Sequence, residues 1–212
     1  MPLHQPSLVE LAADDLRRRI LSGQLAQGQR LVEERLSEEL GISRPPLREA
    51  MRMLEHEGLI VKLPRFGSQV VQLSPHDYWE LLTLRHSLES TAFRIAIPVA
   101  DDRLLDEPRR RLRELEACAP DGEPPEMIQA GYRFHLALVA IAGHHRIVDV
   151  YRSLQAQLQL CMALHIQSSP ESLQHNAGRH RVLLTAVESG DLDQALAALD
   201  AHGHGRFLGA KP

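Results

Sequence analysis

The chain has 212 residues, with 24 Lys and Arg against 28 Asp and Glu, a net charge of −4 with histidine neutral, and 43% apolar residues. That length holds one large domain or two small ones. Two cysteines exclude a disulfide framework, and no apolar run approaches the roughly 20 residues of a membrane span. The 35 Leu and 22 Ala outnumber 20 Val plus Ile, a balance that favours helix over strand. The charged N-terminus (Glu10, Asp14, Asp15, Arg17–Arg19) has no signal-peptide core, so a cytoplasmic protein that does not engage a membrane is expected. The acidic total alone speaks against nucleic acid, and 12 histidines are many for this length.

The first elements are short. Leu8, Leu11, Ala12, Leu16, Ile20 and Leu21 recur at helical spacing, and Gly23 stops that helix. Gln24–Arg30 is expected as a loop. A second helix spans Glu33–Leu40 and is broken by Gly41. Ser43 is a candidate N-cap for a third, Pro45 to His56, whose first turn tolerates Pro45 and Pro46 because it has no intrahelical N–H to lose. Leu59–Lys62 and Ser68–Leu73 alternate as strands around a Pro64–Gly67 turn.

Charge divides unevenly. Residues 1–74 carry ten basic and ten acidic side chains, whereas residues 75–212 carry 14 and 18. The fold class expected is mainly α: an N-terminal winged helix-turn-helix with a small β-hairpin wing over residues 1–74, and an all-α helical bundle over 75–212. In a winged helix the second helix of the pair enters the major groove. Here Arg44 and Arg48 lie one turn apart at its N-terminal end, with Arg52 one turn on, opposite the Leu47, Ala50, Met51 and Leu54 stripe. The guanidinium fork suits guanine O6/N7 or phosphate oxygens, and Arg65 and Gly67 mark the wing tip. Three arginines are also compatible with a solvated face, and winged helices also serve as protein-interaction modules, so spacing alone leaves both open.

The residues themselves carry a resemblance. Glu33-Glu-Arg-Leu-Ser-Glu-Glu-Leu-Gly-Ile-Ser-Arg-Pro-Pro-Leu-Arg-Glu-Ala-Met, with Ile20-Leu-Ser-Gly before it and Pro64-Arg-Phe-Gly-Ser-Gln-Val after it, resembles the DNA-binding domain of GntR-family bacterial transcription regulators over residues 8–73. The resemblance implies that Arg35, Ser43, Arg44, Arg48, Arg65 and Gly67 contact a double-stranded operator. Pro45-Pro46 departs from the family, which usually has a single proline preceded by a hydroxyl residue.

The second half is helical by pattern: 76–97, about 101–118, 124–142, 145–168, 171–189 and 191–206. Pro108 either starts its helix near Asp106 or kinks it. Eight histidines fall in residues 131–212. His180 shares a face with Leu183, Leu184 and Val187, His202 with Leu199, Ala198 and Ala195, and His135 with Leu138, Val139 and Ala142. His180 and His202 lie equally far from Asp191 at a helix-hairpin turn, and so at one level. Three core-facing imidazoles need partners. A shared divalent metal (zinc or a similar ion) is one solution, and a metal-free polar pocket is the other. Cys161 and His165, at i, i+4, are expected in the packing, and His144-His145 exposed at a helix start.

This half resembles the FadR-type effector domain (FCD) of the same family through Leu84-Arg-His-Ser-Leu-Glu, Tyr132-Arg-Phe-His-Leu-Ala-Leu, and His180…Gly190-Asp-Leu-Asp-Gln-Ala…His202. The resemblance implies metal ligands at His135, His180 and His202. It also implies an Asp four residues before the first of them, and that position is Gly131 here. Asn176, one turn before His180, is a substitute ligand, and Arg85 either meets an effector carboxylate or pairs with Glu89. The function expected is a homodimeric, ligand-responsive repressor or other transcription regulator that binds an inverted-repeat operator and senses a small organic acid. Its rivals are a metal-dependent hydrolase at the three histidines, for which no general base is evident, and a winged-helix protein-interaction module.

Overall fold

A computed structural model describes residues 6–99, 101–118, 124–168 and 176–204. The chain divides into two compact units, Met1–Leu73 and Ser74–Pro212.

In the first unit, α1 (Leu8–Leu21) opens on a capping box. Ser7 Oγ accepts from the Glu10 amide, and the Glu10 carboxylate accepts from the Ser7 amide. Ala12, Ala13, Leu16, Ile20 and Leu21 are buried. Leu8 and Leu11, expected on the same stripe, are exposed, because the face turned inward is the small one, with Ala12 and Ala13 packing on Ala50. The second helix, α2 (Glu33–Leu40), stops where Gly41 adopts φ +62° and the Ile42 amide reaches back to the Ser37 carbonyl. The third, α3 (Arg44–His56), then buries Leu47, Ala50, Met51 and Leu54. Arg17 of α1 clamps Glu57 at its end through two hydrogen bonds of 2.9 and 2.7 Å.

The wing is a three-stranded antiparallel sheet in the order β1-β3-β2, from β1 (Arg30–Leu31), β2 (Ile60–Leu63) and β3 (Gly67–Val70). Ile60 faces Val70 and Leu63 faces Gly67 across the hairpin, and Arg30 faces Gln69. The loop expected at Gln24–Arg30 therefore runs into a strand, since two residues are too few to show a period. The strand expected over Ser68–Leu73 ends at Val70.

The second unit is helical among the described residues. Its first helix, α4 (Pro75–Ala96), starts at a Ser74–Asp77 capping box. Single 3₁₀ turns at Ile97–Val99 and Asp102–Leu105 precede α5 (Asp106–Cys118). Pro108 thus lies in a first turn, where it displaces no helical hydrogen bond. Then come α6 (Pro124–Ala140), α7 (His145–Ser153), α8 (Gln155–Ser168), α9 (Asn176–Glu188) and α10 (Leu192–Leu199). The single helix expected over 145–168 is broken at Leu154, with no Pro or Gly to announce it. The part of the 171–189 helix before Asn176, and the 205–206 end of the last one, lie outside the described residues. After α10 the chain widens into a π turn, Asp200–His204.

Helix α6 is central. It buries Met127, Ile128, Tyr132, Phe134, His135, Leu138 and Val139 on more than one side, as expected of a helix enclosed by others. Phe134 and Leu138 join Phe93, Leu183, Leu184, Val187 and Leu199 in one core, and Tyr132 and Val139 join Ala92, Tyr151 and Leu158 in another. Among the described residues no helix is long and apolar enough to cross a membrane.

Candidate functional site

Helix α3 separates its faces cleanly. Leu47 and Leu54 are fully buried, while the Arg44 and Arg48 side chains on the other side are about half exposed. Ser43 is the N-cap by backbone conformation, but its hydroxyl makes no capping hydrogen bond. Pro45 and Pro46 have no N–H, so this helix end offers an anion fewer donors than usual, and the positive charge of this face comes from the arginines. Each is held by a carboxylate. Arg44 Nη2 donates to Glu34 (2.5 Å), Arg48 Nε to Glu33 (2.7 Å) and Arg35 Nε to Glu39 (2.7 Å). At the wing tip Arg65 is exposed with φ +69°, and Gly67 has φ +83°. Phe66 between them is 66% exposed. A Cβ on Gly67 would come within 4.0 Å of Arg30 Nε, which adds the exposed Arg30 to this tip. Sequence reasoning missed Arg30 because its strand is two residues long.

In the helical unit the three histidines converge. His135 and His180 are buried and His202 is partly so. Ring centroids are 5.0, 4.9 and 4.5 Å apart for the pairs 135–180, 135–202 and 180–202, and one ligand nitrogen from each lies within 4.8 Å of the others. His202 reaches the cluster from the π turn, which His86 of α4 ties down through Asp200 at 2.6 Å. His202 Nδ1 lies 3.3 Å from the Arg179 carbonyl. A carbonyl only accepts, so this nitrogen carries the proton and Nε2 presents a lone pair. On His135, Nδ1 lies 3.2 Å from Glu89 Oε1, which favours its proton there. Its Nε2 then meets His202 Nε2 at 3.1 Å. Two lone pairs at that distance repel unless a cation sits between them, so the donor set fits a metal ion. Burial pushes the His135 pKa down and the His202 pKa well down, the latter further lowered by His180 and His135. Both are therefore neutral ligands near pH 7.

A Cβ on Gly131 would stand 3.6 Å from His180 Nε2 and 3.1 Å from the Met162 methyl. Position 131 therefore looks into the cluster from one turn before His135, and the Met162 methyl occupies the niche beside it. No carboxylate joins the three histidines among the described residues. Asn176 opens α9, but its side chain lies outside the described residues.

Arg85 is 5% exposed and donates from Nε to Glu89 (2.8 Å), itself fully buried. The Tyr151 hydroxyl donates to the same Glu89 oxygen at 2.6 Å. The Glu89 charge holds the Arg85 pKa above its usual value although burial works against it. Of the two roles open to Arg85, the structure contains the pair with Glu89, and Arg85 Nη2 has no hydrogen-bond partner among the described residues. Cys161 is buried and its thiol is pushed up to about 12 by burial, which leaves it unreactive packing. His144 caps α7, with Nδ1 accepting from the Ile147 amide at 3.3 Å.

Two family models match the chain, one over each unit. Residues 8–70 match the model of bacterial regulatory proteins of the gntR family, and residues 80–205 match the FCD domain. The chain is a GntR-family transcriptional regulator with an FCD domain. It is similar to the uncharacterized HTH-type transcriptional regulator YdhC of Bacillus subtilis (strain 168), with 30% identity over 72% of this chain and 68% of that protein. It is also similar to the gluconate operon transcriptional repressor of Bacillus licheniformis, with 26% identity over 88% of this chain and 78% of that protein. Among solved structures, E. coli McbR/YncC shares the fold with a TM-score of 0.70, covering 96% of this chain and 97% of that one at 22% identity. These relatives are regulators and not enzymes, which sets the hydrolase reading aside.

Proposed function

We propose that this GntR regulator binds a double-stranded, inverted-repeat operator as a cytoplasmic homodimer and changes its affinity when a small organic acid enters the FCD domain. The observation that carries the DNA reading is the presentation of Arg44 and Arg48, one turn apart, on the exposed face of α3, opposite its buried Leu47, Ala50, Met51 and Leu54 stripe. Arg35, Ser43, Arg65 and Gly67 complete the contact surface, with backbone φ of Arg65 and Gly67 set for a tight tip. Paired guanidinium groups at the N-terminal end of a winged-helix recognition helix are placed as they are in helices that enter the major groove, which favours DNA over a protein partner.

In the FCD domain His135, His180 and His202 would hold a metal ion. When bound, that ion supplies a positive centre for an acidic ligand, and Gly131 in place of a carboxylate leaves the protein contributing three neutral donors. Arg85 and Asn176 would contact the acid, as the resemblance implies, and Arg85 Nη2, without a hydrogen-bond partner among the described residues, supports a contact with a carboxylate. Operation as a repressor follows the naming of the gluconate relative and is part of the proposal. The acid must prefer one arrangement of the regulator over another, or it shifts nothing.

The test is operator affinity, measured on DNA selected from a random pool, against a panel of organic acids before and after chelation. The His180→Ala variant is run alongside with elemental analysis. A shift in affinity with one acid, and metal lost in the variant, supports the reading. Constant affinity throughout overturns the switch, and equal metal content in both proteins overturns the metal centre.

A further inference from the structure

We infer that Glu33 and Glu34 determine operator specificity by holding the recognition arginines, an inference that rests on the DNA reading above. A DNA-binding surface gains affinity for any sequence from free cations. This one is built otherwise: the segment of residues 1–74 sums to zero charge, and each arginine of α2 and α3 on the exposed face has a carboxylate neighbour. Two of those carboxylates, Glu33 and Glu34, stand in the first turn of α2 and reach across to α3. They link different helices and so fix direction as well as charge.

The atoms used matter. Glu33 Oε2 takes the Nε–H of Arg48 at 2.7 Å, and no protein hydrogen bond engages the terminal Nη1/Nη2 pair among the described residues. That terminal pair is the fork that matches guanine O6 and N7. A guanidinium gripped by its Nε edge loses rotamer freedom before DNA arrives, so less ordering remains to be done on binding. Glu34 takes one N–H from Arg44 Nη2 at 2.5 Å, and no other hydrogen bond engages Arg44's side chain among the described residues. All four side chains are substantially exposed, so the pairs add little to fold stability and their effect falls on the direction of the guanidinium groups. Both carboxylates also repel phosphate, which lowers the background on unrelated sequence. Glu33 and Glu34 are positioning residues: they act on DNA through Arg48 and Arg44.

The experiment compares full-length protein with Glu33→Gln and Glu34→Gln, singly and together, by fluorescence anisotropy on a selected operator, on the operator with guanines replaced, and on unrelated duplex, from low to moderate salt. The account expects unrelated-duplex affinity to rise about twofold to tenfold per substitution at low salt and the salt dependence to steepen. Operator affinity stays level or falls, so the specificity ratio drops, and discrimination against replaced guanines weakens most in Glu33→Gln. An equal rise on all three duplexes overturns the inference, because the carboxylates then only dilute charge. An unchanged ratio in every variant overturns it as well. Wild-type protein that fails to prefer any selected duplex overturns the DNA reading itself, and with it this inference.

Discussion

The buried Arg85–Glu89 pair shows how one side chain can serve two ends. Glu89 meets Arg85, the Tyr151 hydroxyl and His135 through a single oxygen, Oε1. A carboxylate enclosed in this way is sustained only by its partners, and removing it strands the guanidinium in a low-dielectric site. Glu89→Ala is therefore expected to destabilise the helical unit by about 3–5 kcal/mol in denaturant titration. The double replacement Arg85→Met with Glu89→Leu, which removes both charges and keeps volume, is expected to cost less than the single change. A single variant as stable as wild type would mean that the pair carries no structural burden. The same oxygen lies 3.2 Å from His135 Nδ1, a position that favours the proton on that nitrogen and leaves Nε2 toward the cluster. Helical phase alone places the three histidines on core faces. It does not reveal this second layer, because Glu89 is 46 positions from His135 in the chain and no local pattern links them.

Elements in this chain are set mainly by their ends. Ser7 with Glu10 and Ser74 with Asp77 start α1 and α4 through reciprocal side-chain and backbone bonds, and such pairs are legible as sequence patterns. Gly41 is the decisive stop. Its φ of +62° aims the chain from α2 into α3, and nothing lies within 4 Å of a Cβ built there. Gly41→Ala is thus strained by backbone alone and should lower unfolding stability by about 1 kcal/mol, with Gly41→Asn losing less, because Asn tolerates the left-handed region. Equal stability of all three proteins would show that the turn relaxes to another conformation. The breaks that the sequence hides have a common character. The Leu154 interruption between α7 and α8 contains neither proline nor glycine, and α10 passes into the π turn at Asp200 with no breaker at the junction, Gly203 lying further on. The π turn also carries His202 into the three-histidine cluster.

At the scale of the molecule, the net charge of −4 averages two unlike units, and the acidity belongs to the helical one. On the proposed reading, a regulator with an acidic total reaches DNA through a few guanidinium groups locally presented on a charge-balanced unit, so its affinity rests on placement more than on bulk attraction. The residues of α2 and α3 announced this unit by composition, spacing and resemblance together, whereas the wing's third strand and Arg30 stayed hidden. In the other unit, the sequence located the three histidines and the glycine that replaces a carboxylate. The niche beside Gly131, occupied by the Met162 methyl, is a long-range contact between α6 and α8 that no periodicity encodes.

The central claim is that α3 reads DNA through Arg44 and Arg48, and the most direct measurement is the binding of the Arg44→Ala/Arg48→Ala double variant to a selected inverted-repeat duplex. Circular dichroism and thermal unfolding would confirm that the exposed substitutions leave the fold intact. The account predicts a loss of about 3–6 kcal/mol in operator binding per contacted half-site pair, roughly a hundredfold or more in affinity, with preference over unrelated duplex abolished. A double variant that keeps wild-type affinity and preference would contradict the assignment of this helix as the element that reads DNA.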